Sequence, residues 1–155
     1  MVHFLDQSDA WTRETIRRVG WALQYVFDGE DEQVPPYCYT IGLHELGHPE
    51  LLVVGLDHGT AAHLLNTVGE RIRHGEWLRV GDVLTVDERS NRLEVRTVPN
   101  PGDILFSANR HYRRADEDSI PAYQLVWHDM NGRFPWDAGY ELPAWRQPLP
   151  GTFRA

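Results

Sequence analysis

The chain of 155 residues contains no lysine, although it carries fifteen basic residues, all of them arginine. The absence of lysine excludes a Schiff-base lysine, a lysine general base and the usual P-loop that cradles phosphates. A pyridoxal-phosphate enzyme and a nucleotide hydrolase of the usual kind are therefore excluded.

Cysteine is almost as scarce, since Cys38 is the only one in the sequence. A single thiol forms no internal disulfide and no cysteine-based zinc cluster, which is typical of a protein in a reducing cytosol. Cys38 lies in an apolar stretch, so we interpret it as a buried structural thiol. No apolar run approaches the length of a membrane span, and the N-terminus lacks the regions of a signal peptide. We therefore expect a cytoplasmic protein without a membrane partner.

The net charge of −8 argues against a nucleic-acid partner, because nucleic-acid-binding domains are usually basic. The length suits one domain with a proper hydrophobic core. We expect residues 1–155 to form that single domain, with 137–155 as an extended, proline-rich C-terminal tail. The sequence leaves a homodimer open.

Two amphipathic segments predict the main helices. In the first, about residues 8–27, Ser8 or Asp9 is the expected cap. Apolar residues recur there at the three- and four-residue intervals of one helix face: Ile16, Val19, Leu23 and Val26. The second segment starts at Thr60, its expected cap, and ends near residue 74, before the glycine at position 75. A shorter helix is predicted over residues 103–112.

Short runs of β-branched and aromatic residues between turn signals predict strands. Residues 83–86 and 93–98 alternate on either side of a tight turn at residues 88–91 and predict a hairpin, and acidic loops, such as residues 28–32, separate other elements. The order of helices and strands indicates an α+β domain, with a largely antiparallel sheet packed by two main helices. The predicted strands are residues 37–43, 51–56, 83–86, 93–98 and 122–128.

The pattern HExxH occurs at residues 44–48 and is followed at once by Pro49. In zinc enzymes this pattern places two histidines on one helix face as metal ligands, with the glutamate as general base. Here the ligands are His44 and His48, and the base is Glu45. This interpretation predicts a small zinc-dependent hydrolase with zinc as its cofactor.

The surroundings of the pattern oppose the helix that zinc binding needs. Pro49 removes a helical amide, and Gly47 costs about 1 kcal/mol in a helix interior. The flanking segments are strand-like, so we predict a turn between two strands, and no cofactor. The zinc hydrolase remains the alternative. Other side chains that are candidates for a third ligand have no specific spacing: Asp57, His58, His63 and Glu70.

Two further segments combine aromatic and polar chemistry, residues 109–114 and 127–136. Convergent polar groups on an aromatic wall are typical of small-molecule pockets and of protein-binding hot spots. The structural alternative is that the tryptophans pack in or beside the core and that an aspartate fixes a turn. We expect His111, Tyr112, Trp127, Asp129 and Trp136 to converge on one concave, partly exposed surface, with His48 or Glu50 at its margin. The full set of candidate binding residues is larger and comprises His48, Glu50, Asn109, Arg110, His111, Tyr112, Trp127, Asp129 and Trp136.

No serine or cysteine stands in a recognisable nucleophile motif, since Gly-x-Ser-x-Gly is absent. Covalent catalysis therefore has no support in the sequence, and no catalytic residue is assigned. The pattern favours a ligand-binding or protein-interaction module whose partner is a small molecule or another protein.

Several segments, in this order along the chain, carry a resemblance to a known family. They are residues 39–43, 47–51, 54–56, 109–112, 124–129 and 132–136. On these motifs the chain resembles the bacterial family called domain of unknown function 4262, over about residues 35–140. The resemblance implies no activity. It does imply that His44 and Glu45 lie where members of the family vary, so that the HExxH pattern is incidental.

Overall fold

The computed structural model describes residues 2–27, 33–87 and 91–155. Within these ranges the α+β prediction is confirmed, since helices pack on a six-stranded, largely antiparallel sheet. In chain order the main elements are α1 (Val2–Val19), β1 (Ala22–Val26), β2 (Tyr37–Ile41), a 3-10 turn (Leu43–Leu46), β3 (Glu50–Val54), α2 (His58–Arg73), β4 (Val83–Thr85), β5 (Arg92–Thr97), α3 (Phe106–Tyr112) and β6 (Ala122–Trp127).

The sheet has the strand order β1-β2-β3-β6-β5-β4. Its described pairings are antiparallel except for β3 with β6, which run parallel with Glu50 opposite Ala122. All five residues of β2 and all five of β3 are buried, because helices cover the centre of the sheet on both faces. This double burial explains the continuous apolar run of residues 51–54.

Side chains that alternate along β3 reach two separate cores. Leu51 and Val53 pack with the apolar side of α2, whereas Leu52 and Val54 pack with residues of α1 and α3. The protein is thus layered, with α2 on one face of the sheet and α1 with α3 on the other.

The prediction of one helix over residues 8–27 is wrong. Helix α1 begins at Val2 and ends at Val19, and the rest of the segment is strand β1. Gly20 has φ +111, which a residue with a side chain rarely adopts, and it turns the chain from helix to strand. Asp9 is not a cap, because it lies inside α1 and its carboxylate binds Arg110 of α3.

The second helix ends as predicted, with Gly75 in the left-handed region directly after α2. Its cap is Asp57 and not Thr60, since the Asp57 carboxylate accepts a hydrogen bond from the Thr60 amide at 2.9 Å. The third predicted helix is split into a 3-10 turn, Pro101–Asp103, and α3.

Strands β4 and β5 form the predicted antiparallel hairpin. The middle of its turn, residues 88–90, and the predicted acidic loop, residues 28–32, lie outside the described residues. None of the helices that the structure describes has the length and hydropathy required to span a bilayer.

Residues 128–155 contain turns but neither helix nor strand, and they pack back onto the sheet. The Gln147 side chain is buried and brackets the backbone of Trp127, accepting from its amide at 3.0 Å and donating to its carbonyl at 2.9 Å. Phe153 packs edge-on against Tyr37, with ring centroids 5.2 Å apart. The tail thereby holds the end of β6 in place.

The tail contact is tested by replacing Gly55, where an added Cβ atom would lie 2.1 Å from the carbonyl oxygen of Arg146. Both Gly55 and the control Gly75 have positive φ, but at Gly75 nothing lies within 4 Å. Gly75→Ala should destabilise by about 1–2 kcal/mol through backbone strain alone. Gly55→Ala should cost about 1–3 kcal/mol more, because the tail must move. Urea denaturation measures both, and equal losses would show that the tail is not docked at Gly55.

Candidate functional site

The HExxH stretch forms a 3-10 turn, Leu43–Leu46, instead of an α-helix. Gly47 follows with φ +83, in the left-handed region that favours glycine, and ends the turn. Pro49 then leads directly into β3. The predicted turn between two strands is confirmed, since β2 ends at Ile41 and β3 begins at Glu50.

The two histidines of this stretch have different surroundings. His48 is buried, with Nδ1 2.7 Å from the Pro49 carbonyl oxygen and Nε2 3.3 Å from the Leu78 amide that donates to it. Burial lowers the pKa of His48, which favours the neutral imidazole with its proton on Nδ1. His44 instead packs edge-on against Tyr112, with ring centroids 4.8 Å apart.

Both nitrogens of His48 are therefore engaged by the backbone, and the imidazole pair of a zinc helix is not formed. In the described part of the chain, no group of three or more His, Cys, Asp or Glu side chains is arranged to hold a metal ion. The zinc alternative thus loses the geometry on which it was based.

The most unusual group at this end of the sheet is the fully buried carboxylate of Glu50. Its Oε1 accepts from the Thr40 hydroxyl at 2.8 Å and from the Leu43 amide at 3.0 Å. Its Oε2 accepts from the amides of Gly42, at 3.0 Å, and His44, at 3.2 Å. Three consecutive amides at the start of the 3-10 turn thus share one carboxylate, which acts as the cap of that turn.

Burial raises the pKa of Glu50 to about 7, although the surrounding amides and the Thr40 hydroxyl lower it. The Tyr112 hydroxyl lies 3.4 Å from Glu50 Oε2. Burial, and after it the charge of Glu50, raise the pKa of Tyr112, so the phenol keeps its proton and serves as a donor to the carboxylate.

Next to Tyr112, an open cleft of about 330 Å³ lies where α1, the 3-10 turn and α3 meet. Within it, His111 Nε2 is 3.8 Å from Glu45 Oε1, and the His111 ring packs edge-on against Tyr112 at 4.7 Å. We call this concavity the α1–α3 cleft. It is lined by Arg13, Ile16, Arg17, Glu45 and His111.

Comparison with known proteins agrees with the resemblance seen in the sequence. The family described as domain of unknown function (DUF4262) matches residues 15–141. The chain belongs to this family. No curated protein and no solved structure matches the chain. The DUF4262 description names no activity, so the arrangement of the site has to indicate one.

Three of the segments that resemble DUF4262 meet at the Glu50 carboxylate. Residues 39–43 supply hydroxyl and amide donors, residues 47–51 supply the carboxylate itself, and residues 109–112 supply the phenol of Tyr112. Segments far apart in sequence therefore build one polar centre directly behind the cleft.

The two residues before His111 are structural. Asn109 is buried, donating to the Ser119 hydroxyl at 2.8 Å and accepting from the Ile120 amide at 3.1 Å. Arg110 holds the Asp9 carboxylate with two guanidinium nitrogens, at 2.8–3.1 Å, and so fastens α3 to α1. Only His111 of this trio reaches the cleft.

The remaining candidates lie at the other end of the sheet. Trp127 donates its indole N–H to the Val54 carbonyl at 2.8 Å. Trp136 stacks on Phe134 at 5.5 Å. Asp129 is bound by amides of its own turn: Oδ1 accepts from Asn131 and Arg133, and Oδ2 accepts from Glu141. These contacts match the structural alternative for all three residues.

The five residues expected to converge therefore do not share one surface. Because β3 and β6 run parallel, Glu50 lies at one end of the sheet and Trp127 at the opposite end. Tyr112 also packs on the face covered by α1 and α3, whereas Trp127 packs on the face covered by α2. The structure keeps Glu50, His111 and Tyr112 together, places His48 on the α2 side of the turn, and separates the rest.

Sequence reasoning missed the contribution of α1 to the cleft. Arg13 and Arg17 are one helical turn apart and therefore share a face, a spacing that the sequence does show. Nothing in the sequence, however, places that face beside His111, about a hundred positions further along. Glu45 was assigned only as the base of a zinc site, whereas in the structure it faces His111.

The raised pKa of Glu50 predicts how the free energy of unfolding depends on pH. Its pKa rises from 4.5 to about 7 on folding, so between these values the folded state binds more protons than the unfolded chain. Its contribution to the free energy of unfolding is therefore full below pH 4.5 and falls as the pH rises to 7. Relative to Glu50→Gln, which cannot titrate, the native protein should lose stability from pH 5 to pH 8.

Chemical denaturation of both proteins at the two pH values measures this difference. His48 is present in both, so its own pH dependence cancels. A difference that stays constant, or that grows in favour of the native protein at pH 8, would mean that the amide donors outweigh burial and keep the carboxylate ionised.

The structural role of Asp129 is tested with Asp129→Asn. The new amide group must replace one carboxylate oxygen and then faces a backbone N–H, so the melting temperature should fall. The matched control is Asp116→Asn, at an exposed aspartate whose side chain has no hydrogen bond or ion pair with the described residues. Equal melting temperatures for both variants would contradict a structural role of Asp129 and leave it a candidate binding residue.

Proposed function

We propose that this DUF4262 protein is a ligand-binding module and that its binding site is the α1–α3 cleft. The cleft volume of about 330 Å³ is in the range of small-molecule sites. Its lining joins guanidinium, carboxylate and imidazole groups to the apolar side chain of Ile16, which is the mixture that fixes a ligand in one orientation.

The observation that carries the proposal is that buried, hydrogen-bonded residues hold the His111 side chain in place from behind. Its side chain is 14% exposed, and it rests on Tyr112, whose hydroxyl reaches the buried Glu50. A binding group held by a buried hydrogen-bonded layer loses little freedom when a ligand arrives, which favours affinity. The partly exposed Glu45 stands opposite, so two polar groups border the same opening.

Recognition is favoured over catalysis by the chemistry available. None of the described residues that line the cleft is a serine or a cysteine. Burial raises the pKa of Cys38 to about 12, so this thiol is inert as a nucleophile. The zinc-dependent hydrolase would require His48 Nε2 to release the Leu78 amide and the 3-10 turn to become an α-helix, and no observation favours that rearrangement.

We further infer that the module acts in the bacterial cytoplasm on a small molecule, without nucleic acid or membrane as a partner. The single buried cysteine and the net charge of −8 support this setting.

A fragment screen followed by ¹H–¹⁵N NMR tests the proposal. Bound fragments should shift the amides of residues 13–17, 44–46 and 111–112 together. His111→Ala should weaken such binding roughly fivefold or more, the loss expected when a central contact residue is truncated. The control is His63→Ala, at an exposed histidine of α2 on the opposite face of the sheet.

Two results would contradict the proposal. One is a set of fragments that shift only residues near Trp127, where a smaller cavity of about 160 Å³ lies between α2 and β5. The other is the absence of any fragment that shifts the cleft.

A further inference from the structure

The layer formed by α1 and α3 carries more basic than acidic residues, six arginines against Asp6, Asp9 and Glu14 on α1, although the whole protein has a net charge of −8. Six of the fifteen arginines lie on these helices or directly after α3: Arg13, Arg17, Arg18, Arg110, Arg113 and Arg114. Cationic side chains collected around a concave site raise the local concentration of anions there.

The arginines of this layer differ in how far they are neutralised. Arg110 is paired with Asp9, and Arg114 with Asp118. Arg17 reaches Glu14 at 3.3 Å, but both side chains are largely exposed, at 75% and 60%, so this pair is weak. Arg13 has no hydrogen bond or ion pair from its side chain to the described residues.

Arg18 and Arg113 likewise have no side-chain hydrogen bond or ion pair with the described residues, and the Asp9 carboxylate is near enough to Arg13 for their charges to interact. Of these four weakly paired arginines, Arg13 and Arg17 are the two that line the cleft. Arg13 and Arg17 are four residues apart on α1, so their guanidinium groups emerge on one side of the helix, toward His111. A guanidinium presents two parallel N–H donors that match the oxygen spacing of a carboxylate or a phosphate.

We propose that the α1–α3 cleft binds a small oxyanion, a metabolite that carries a phosphate or carboxylate group, through Arg13 and Arg17, with His111 on the opposite wall. This inference rests on the proposed function and names its ligand class. Two carboxylates lie near these arginines, but Glu45 faces the His111 imidazole at 3.8 Å, and Asp9, whose charge also acts on Arg13, is held by Arg110. A cationic ligand would meet both guanidinium groups, and a neutral one would leave their donors to water.

The probes are inorganic phosphate, succinate and succinamide, the last being the uncharged analogue of succinate. Each is titrated into ¹⁵N-labelled full-length protein at constant ionic strength, and the Nε–Hε signals of Arg13 and Arg17 are followed. Phosphate or succinate should give saturable shifts confined to the cleft, and succinamide should give none. The two anions also separate phosphate from carboxylate recognition.

Variants then assign the binding to the two arginines. Arg13→Gln combined with Arg17→Gln should raise the Kd of the anion by about tenfold or more, since charge-assisted hydrogen bonds are lost. Arg18→Gln is the matched control, because Arg18 is exposed on the same helix and does not line the cleft, and it should change the Kd less than twofold. The melting temperature should stay the same in all variants.

Three outcomes would overturn the oxyanion assignment. They are binding of succinamide as tightly as succinate, an anion Kd that the double substitution leaves unchanged, and shifts that never saturate and spread over all the arginines. If neutral fragments occupy the cleft while both anions fail, the proposed binding function stands and only the ligand class is wrong. The titration with native protein decides this even if a variant does not fold.

Discussion

The buried carboxylate of Glu50 satisfies three consecutive backbone amides at the point where β2 has ended and β3 begins. Without an acceptor, each of those amides would be a buried donor with no partner, at a cost of about 1–3 kcal/mol. The chain between β2 and β3 is short, and the carboxylate fixes it as a tight 3-10 turn. The positions of His44 and Glu45 follow from this turn, because both lie on it.

The same carboxylate links the sheet to the α1–α3 layer. Its Oε2 meets the hydroxyl of Tyr112, the last residue of α3, and the ring of Tyr112 supports His44 and His111. The Arg110–Asp9 pair then fastens α3 to α1, which carries the cleft arginines. The hydrogen bond from Tyr112 to Glu50 and the ion pair between Arg110 and Asp9 therefore connect the sheet, α3 and α1 into one continuous support for the proposed binding surface.

The parts of the fold with a strong local signal were predictable from the sequence. The apolar run of β3, the stripe of α2 and the glycine after it have clear patterns. Strand β1 was missed because Ile16, Val19, Leu23 and Val26 keep helical spacing across Gly20, and periodicity alone does not register a break in the backbone.

The candidate site was predictable only in part. His111 lines the cleft, and Tyr112 supports the His111 ring from behind. The side chains of Trp127 and Asp129 are equally suited to binding a ligand, but they already form hydrogen bonds with neighbouring backbone groups. A sequence does not show which polar groups have such partners. The arginines of α1 belong to the site through tertiary packing alone.

The parallel pairing of β3 with β6 has a consequence for the order of folding. Nearly seventy residues separate these strands, and the loop between them contains α2, β4, β5 and α3. Contacts across so long a loop form slowly, after the local hairpin β4–β5 and the antiparallel pair β1–β2. The Glu50 amide bonds to the Pro121 carbonyl at 3.1 Å, directly beside this late junction. Because α3 lies within this loop and forms one wall of the cleft, we expect the cleft to be completed late in folding, when the centre of the sheet has closed.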